Sequence, residues 1–136
     1  MAARNGTLRS HAHACVAAGL STLPAIRHGS EKRVALTKWK PYQERLPSTD
    51  EIGSWFGDNT GAMCIVCGSV SGNLEMIDFD LSGEAFEPWK RAVQTHAPGL
   101  LDRLVIESTP SGGFHVVYRC HEPVSGNMKL ASRVIE

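Results

Sequence analysis

Gly72-Asn73-Leu74-Glu75-Met76-Ile77-Asp78-Phe79-Asp80 is the stretch around which the chain is organised: a turn, a short apolar run, and two aspartates one residue apart. A strand repeats every two residues, so Asp78 and Asp80 share one face while Ile77 and Phe79 point into the protein. Two carboxylates side by side repel unless a cation lies between them. An all-oxygen pair favours a hard divalent ion such as magnesium or manganese. The pair therefore reads as the floor of a metal site. The competing reading is a pair of acids that merely caps the following helix, whose N-terminus favours negative charge.

Working outward, Ala62 to Cys67 predicts an apolar strand and Gly68 to Gly72 a turn. Beyond the aspartates a helix opens after Ser82-Gly83 and runs to about Ala97. Phe86, Trp89 and Val93 lie at helical spacing, Pro88 suits a first turn, and Pro98-Gly99 closes the helix. Leu104 to Ser108 reads as a third core strand, Thr109 to Gly113 as a loop, and Phe114 to Tyr118 as the strand returning from it. Upstream, residues 1–8 read as disordered, and Ser10 to Ala18 as a helix capped by Ser10 and stopped by Gly19. Leu23 to Ile26 predicts a short strand that Pro24 would place at a sheet edge. His28 to Arg33 reads as a polar turn. Pro47-Ser48-Thr49-Asp50-Glu51-Ile52 is a helix start, with Ser48 or Thr49 as cap and Ile52, Trp55 and Phe56 as one apolar stripe. Strands and helices alternate without internal repeat or low-complexity linker, which predicts an α/β or α+β domain. Residues 1–19 form a tail and helix, and residues 20–136 the domain proper.

The chain has 136 residues, one domain's worth, and fourteen basic residues balance fourteen acidic ones. Any charged partner must then be met by a local patch. Cys15, Cys64, Cys67 and Cys120 are too few for a secreted disulfide framework. No stretch approaches the roughly 20 apolar residues of a membrane span, and the N-terminus lacks the apolar core of a secretory signal. A reducing cytoplasm is the expected location, with no membrane partner.

Three further groups bear on the chemistry. In Ser111-Gly112-Gly113-Phe114-His115 the paired glycines let backbone amides approach a phosphate, and His115 follows directly as a triphosphate ligand. His115 and Val117 share one strand face; Phe114, Val116 and Tyr118 share the other. Glu136, behind two apolar residues, repeats the pattern of Met76-Ile77-Asp78 as if a third carboxylate strand were beginning. Lys38, Trp39, Lys40 and Tyr42 interleave cations with aromatics, which suits single strands or phosphates; the alternative is a solvated lysine pair beside core aromatics. Arg103, Arg119, Lys129 and Arg133 are further candidate phosphate contacts. Cys64-x-x-Cys67 with Cys120-His121 has a zinc-like spacing, but Ile65-Val66 reads as buried strand rather than the tight turn of a zinc knuckle.

With these residues laid out, the chain from about Leu20 onward resembles the bifunctional DNA primase/polymerase N-terminal domain of the archaeo-eukaryotic primase superfamily, common in phages, plasmids and prophages. Ile77-Asp78-Phe79-Asp80 looks like that family's first motif, Gly113-Phe114-His115 like its second, and Ile135-Glu136 like its third. The resemblance implies an N-terminal α/β unit joined to a module like an RNA-recognition motif, here C-terminally incomplete, with the active site in the cleft between them. It further implies template-directed nucleotidyl transfer. Asp78, Asp80 and Glu136 would hold two Mg2+ or Mn2+ ions, while His115, Ser111, Gly112 and Gly113 would hold the incoming nucleotide. Lys38, Lys40 and Arg119 would be nucleic-acid contacts. The implied partners are DNA template and primer, nucleoside triphosphates, and a replicative helicase in a longer parent. Two rivals differ in class: an inactive remnant that at most binds nucleotide or single-stranded DNA, and an Asp-x-Asp metal-dependent phosphatase or glycosyltransferase.

Overall fold

Each half of the chain folds into its own antiparallel three-stranded sheet, and each sheet is covered on one side by helix. In the computed structural model residues 2–129 are described. The third-motif residues Ile135 and Glu136, and Arg133, lie outside them. The first half comprises α1 (Ala2–Ala17), β1 (Ser21–His28), β2 (Glu31–Val34), α2 (Thr49–Trp55) and β3 (Ala62–Val66), its sheet ordered β2-β1-β3. The second comprises β4 (Leu74–Phe79), α3 (Phe86–His96), β5 (Val105–Ser108) and β6 (Phe114–Arg119), ordered β4-β6-β5. Mixed helix and antiparallel sheet make this an α+β fold.

In the first half α1 and α2 cover one side of the sheet. Ala12, Ile52 and Phe56 are buried between them, with Leu8, Val16, Trp55 and Met63 packed around. α2 starts at a complete capping box: the Ser48 hydroxyl accepts from the Glu51 N–H, and the Glu51 carboxylate accepts from the Ser48 N–H. Glu51 also takes Arg45 at 2.7 Å and the Tyr42 hydroxyl. Tyr42, 7% exposed, sets its ring edge against Trp55 with centroids 5.1 Å apart. Tyr42 of the Lys38–Tyr42 segment is thus structural, and Lys38 and Lys40 are exposed.

Four expectations change here. α1 runs from Ala2, so Ser10 lies inside the helix rather than capping it. Pro24 is in the central strand, not at an edge. Along a strand the N–H and C=O of one residue point to the same side. The Pro24 carbonyl accepts from the Ala35 N–H on the β2 side, past the end of β2, so its missing N–H leaves no gap in the β3 ladder. The polar turn of residues 28–33 is a hairpin: Gly29 at φ +59 opens a two-residue loop between His28 and Glu31, as a primed turn requires. β5, expected in the core, is an exposed edge strand, with Val105 56% and Ile106 37% exposed.

β1 is shared unequally. Ser21 to Ala25 pair with β3, whereas Ala25 to His28 pair with β2. Beyond Ala25 the β1–β2 hairpin is therefore a two-stranded arm. β6, by contrast, is paired to β4 along its whole length and to β5 from Phe114 to Val117. Its inner face carries the second core: Phe79, Phe86 and fully buried Val116, joined by Ile77, Trp89, Leu104, Phe114 and Tyr118. Phe86 stacks on Phe114 at 4.0 Å and meets Phe79 edge-on at 5.4 Å. With α3 filling this face, the opposite face of β4 and β6 is left for chemistry.

Candidate active-site cleft

The open face of the second sheet bears the two motifs in register. Asp78 pairs with His115 and Met76 with Val117 across β4–β6, and Glu107 pairs with His115 across β5–β6. Side chains directly opposite in an antiparallel pair lie on one face. His115 Nε2 accordingly stands 3.5 Å from Asp78 Oδ1, with the two side chains 35% and 47% exposed. Asp80, one residue past the end of β4, is exposed at the same edge. Ile77 and Phe79 turn into the core, as the two-residue repeat requires.

Glycine fixes the loops that carry these groups, by sterics. A Cβ on Gly113 would stand 2.2 Å from the Phe79 carbonyl oxygen, so only glycine lets the Ser-Gly-Gly loop lie against the end of β4. On the other side, Leu81, Ser82 and Gly83 take φ of +53, +56 and +72, a left-handed turn closed by the Gly83 N–H on the Asp80 carbonyl. A Cβ on Gly83 would meet the Phe114 ring at 2.8 Å. Left-handed backbone at Leu81 and Ser82 costs of order 1 kcal/mol each, held by this packing beside Asp80.

The expected role of the glycine amides needs correcting. The Gly113 N–H donates to Thr109 Oγ1 at 3.0 Å and the Gly112 N–H to the Thr109 carbonyl at 3.0 Å. Both are consumed inside the loop. The hydroxyls of Thr109 and Ser111, 3.2 Å apart, are the loop's groups that line the cleft.

The cleft itself has a volume of about 560 Å³, the size of a small-ligand site. Asp78, Asp80, His115 and the loop from Ser108 to Ser111 line one side. The other side comes from the first sheet: Ala25, Arg27, Lys32, Val34, Ala62 and Cys64, which the register puts on one face, together with Ile26 and Met63 of the alternate phase. Arg33 also reaches it. The sequence did not point to Arg27, Lys32 or Glu107. Counting back across the five-residue loop from the closing pair Ser108–Phe114 would have placed Glu107 beside His115.

Lys38, Lys40 and Arg119 do not line this cleft. Arg119 sits at the far end of β6 from His115, paired with Leu74, its guanidinium close to Gly72. Burial pushes the Cys64 thiol up, and burial together with the nearby Glu75 pushes the Cys67 thiol up. Among the described residues Cys64, Cys67, Cys120 and His121 form no group of three or more that could hold a metal ion.

Among the described residues no three His, Cys, Asp or Glu side chains converge as a complete metal cage. Two carboxylates on one edge are nonetheless the donor set magnesium ordinarily takes from protein, with water and substrate phosphates completing its shell. The residues present fit a hard divalent ion bound together with a nucleotide.

A family model described as bifunctional DNA primase/polymerase, N-terminal, matches residues 12–134. The chain belongs to that family. No curated protein and no solved structure gives a match. Membership makes the function one of DNA primase/polymerase type, with DNA and nucleotides as its substrates. No helix of the described residues is long and apolar enough to cross a membrane.

Proposed function

We propose that the cleft binds a nucleoside triphosphate with divalent metal and transfers its nucleotidyl group to a template-paired 3′-hydroxyl, in the replication of phage, plasmid or prophage DNA. The observation that carries this reading is the placement of Asp78 and His115 side by side, 3.5 Å apart, on the open face of β4–β6. The mobile-element setting rests on the sequence resemblance alone.

In this reading Asp78 and Asp80 hold Mg2+ or Mn2+, joined by Glu136. When bound, the ions neutralise charge on the phosphates and make the attacking hydroxyl a better nucleophile. His115 donates from its imidazole to a phosphate oxygen. Thr109 and Ser111 donate hydroxyls to the same phosphates. The left-handed turn after Asp80 and the wedge of Gly113 hold the acids and the loop in a fixed relation, so little reorganisation is left for the moment of reaction.

Extension of a labelled primer on a DNA template, with the full chain and manganese or magnesium, tests the reading. Extension is expected with metal, lost with a chelator and lost in Asp78→Ala. Full activity in Asp78→Ala would remove that residue from the centre of the chemistry. A second reading, kept from the sequence, is a domain that binds nucleotide without catalysis. A rise in melting midpoint with manganese and deoxynucleotide, but no extension, would select it.

A further inference from the structure

We propose that Arg27 and Lys32, on the β1–β2 arm, grip the polyphosphate tail of the nucleotide from the wall opposite the aspartates. This rests on the function proposed above and assigns the other half of the same cleft.

Both side chains line the cleft, and they lie directly opposite one another in the β1–β2 register. Like charges at directly opposed positions destabilise a strand pair. The fold gains nothing from this arrangement; an anion between them would turn the repulsion into attraction. Nothing on the arm offsets their charge. Glu31, the acid on the arm, is taken by Arg33, whose Nε stands 2.6 Å from its carboxylate. Arg33, which also lines the cleft, pairs with Ile26, one position out of phase with Arg27 and Lys32, and its charge is met by Glu31. Among the described residues Arg27 and Lys32 make no ion pair within 4.0 Å.

The ligand's chemistry follows from the two walls. One wall offers carboxylates, which bind metal and repel phosphate. The other offers two cations, which bind phosphate oxygens and repel metal. A metal–triphosphate carries both partners at once: the ions face Asp78 and Asp80, and the oxygens that the ions leave uncovered face Arg27 and Lys32. The hydroxyls of Thr109 and Ser111, on the aspartate side, suit either. The volume of about 560 Å³ suits a nucleotide. The arm also has room to follow its ligand, because beyond Ala25 it is only two strands wide.

The test is the double variant Arg27→Gln/Lys32→Gln in the full chain, titrated in manganese with a deoxynucleoside triphosphate and with the corresponding monophosphate. The triphosphate is expected to bind at least about tenfold more weakly, and the monophosphate to change less than about twofold, since charge-assisted contacts to the tail are what is removed. The unliganded melting midpoint is expected to hold or rise as the repulsion goes. Unchanged triphosphate affinity, or equal weakening of both nucleotides, would overturn the assignment. So would selective loss of affinity for a labelled single-stranded oligonucleotide with triphosphate binding intact, which would move the cations to the template. If the double variant does not fold, the single variants carry the test, each expected to weaken triphosphate binding several-fold. A wild-type chain that binds no triphosphate in manganese would instead sink the proposed function itself.

Discussion

The two walls of the cleft are made alike, three antiparallel strands backed by helix, but they hold their charges differently. Asp78 and His115 stand where β4 and β6 are paired, with Val116 wholly buried beneath and β5 on the far side. Arg27 and Lys32 stand on an arm that has lost its third strand. In the proposed function the carboxylates would hold ions against a reacting phosphorus, which needs positions fixed to a fraction of an ångström. Cations that screen a flexible tail need reach more than precision. Rigidity has gone to the acid wall and freedom to the basic one.

The hardest blow to that contrast is Asp78→Ala. Its side chain is 47% exposed, so folding stability is expected to change by less than about 0.5 kcal/mol. Metal-dependent primer extension is expected to fall roughly a thousandfold, the scale of losing a main electrostatic group at the reacting centre. Parallel melting and extension assays check both halves. A large drop in melting midpoint would make Asp78 structural.

Next is Gly113→Ala. The added methyl cannot fit 2.2 Å from the Phe79 carbonyl, so β4 and the loop must part. A loss of about 3 kcal/mol is expected in denaturant unfolding. Extension is expected to fall as well, because the same contact sets Asp80 against the Ser111 loop.

These two sites also show what was legible in the sequence. The alternation Met76 to Asp80, set between Gly72 and a clear helix, announced its strand and both faces. The Gly-Phe-His step placed His115 on the matching face, because the aromatic and branched residues of β6 had to turn inward. The arm was invisible for the complementary reason: Glu31-Lys32-Arg33 carries no apolar residue, so a strand stabilised only by its neighbour's backbone read as a turn. Pro24 misled because the rule that sends proline to an edge concerns a missing N–H, and here that N–H would have faced past the end of β2. Val105 and Ile106 read as core although β5 is an edge strand. The glycines of the Ser-Gly-Gly loop were recognised, but their reason was close packing; sequence alone cannot tell a glycine that admits a phosphate from one that admits a carbonyl.

Behind the basic wall, Glu51 ties α2 to Arg45 and Tyr42. Hydrogen bonding from Arg45 is the main cause that holds its carboxyl at about 2, against the ordinary 4.5. A depressed carboxyl stabilises the fold above its unfolded value and loses that contribution as pH falls from about 4.5 toward 2. Arg45 is half exposed, so solvent screening keeps the contribution to about 1 kcal/mol. Glu51→Gln is expected to cost that much at pH 7, and the gap from wild type is expected to close by about pH 2. A gap that stayed constant over this range would mean that the amide loses packing or capping rather than charge.

The mildest change expected overall is also the sharpest probe of the contrast. Gly29 holds the arm's turn at φ +59 with open space around the missing Cβ, so alanine there meets no neighbour and adds only left-handed strain of about 1 kcal/mol. On a rigid sheet that strain would appear in full in the unfolding free energy. On a two-stranded arm it is relieved by local opening, because few contacts beyond Ala25 would be lost. Gly29→Ala is therefore expected to move global stability by less than about 0.5 kcal/mol while speeding amide exchange at Lys32 and Arg33 and weakening triphosphate binding several-fold. Amide exchange at Val116 is expected to stay as slow as in wild type, since β6 shares no strand with the arm. A full 1 kcal/mol loss with uniform exchange would show that the two walls fold and open as one unit.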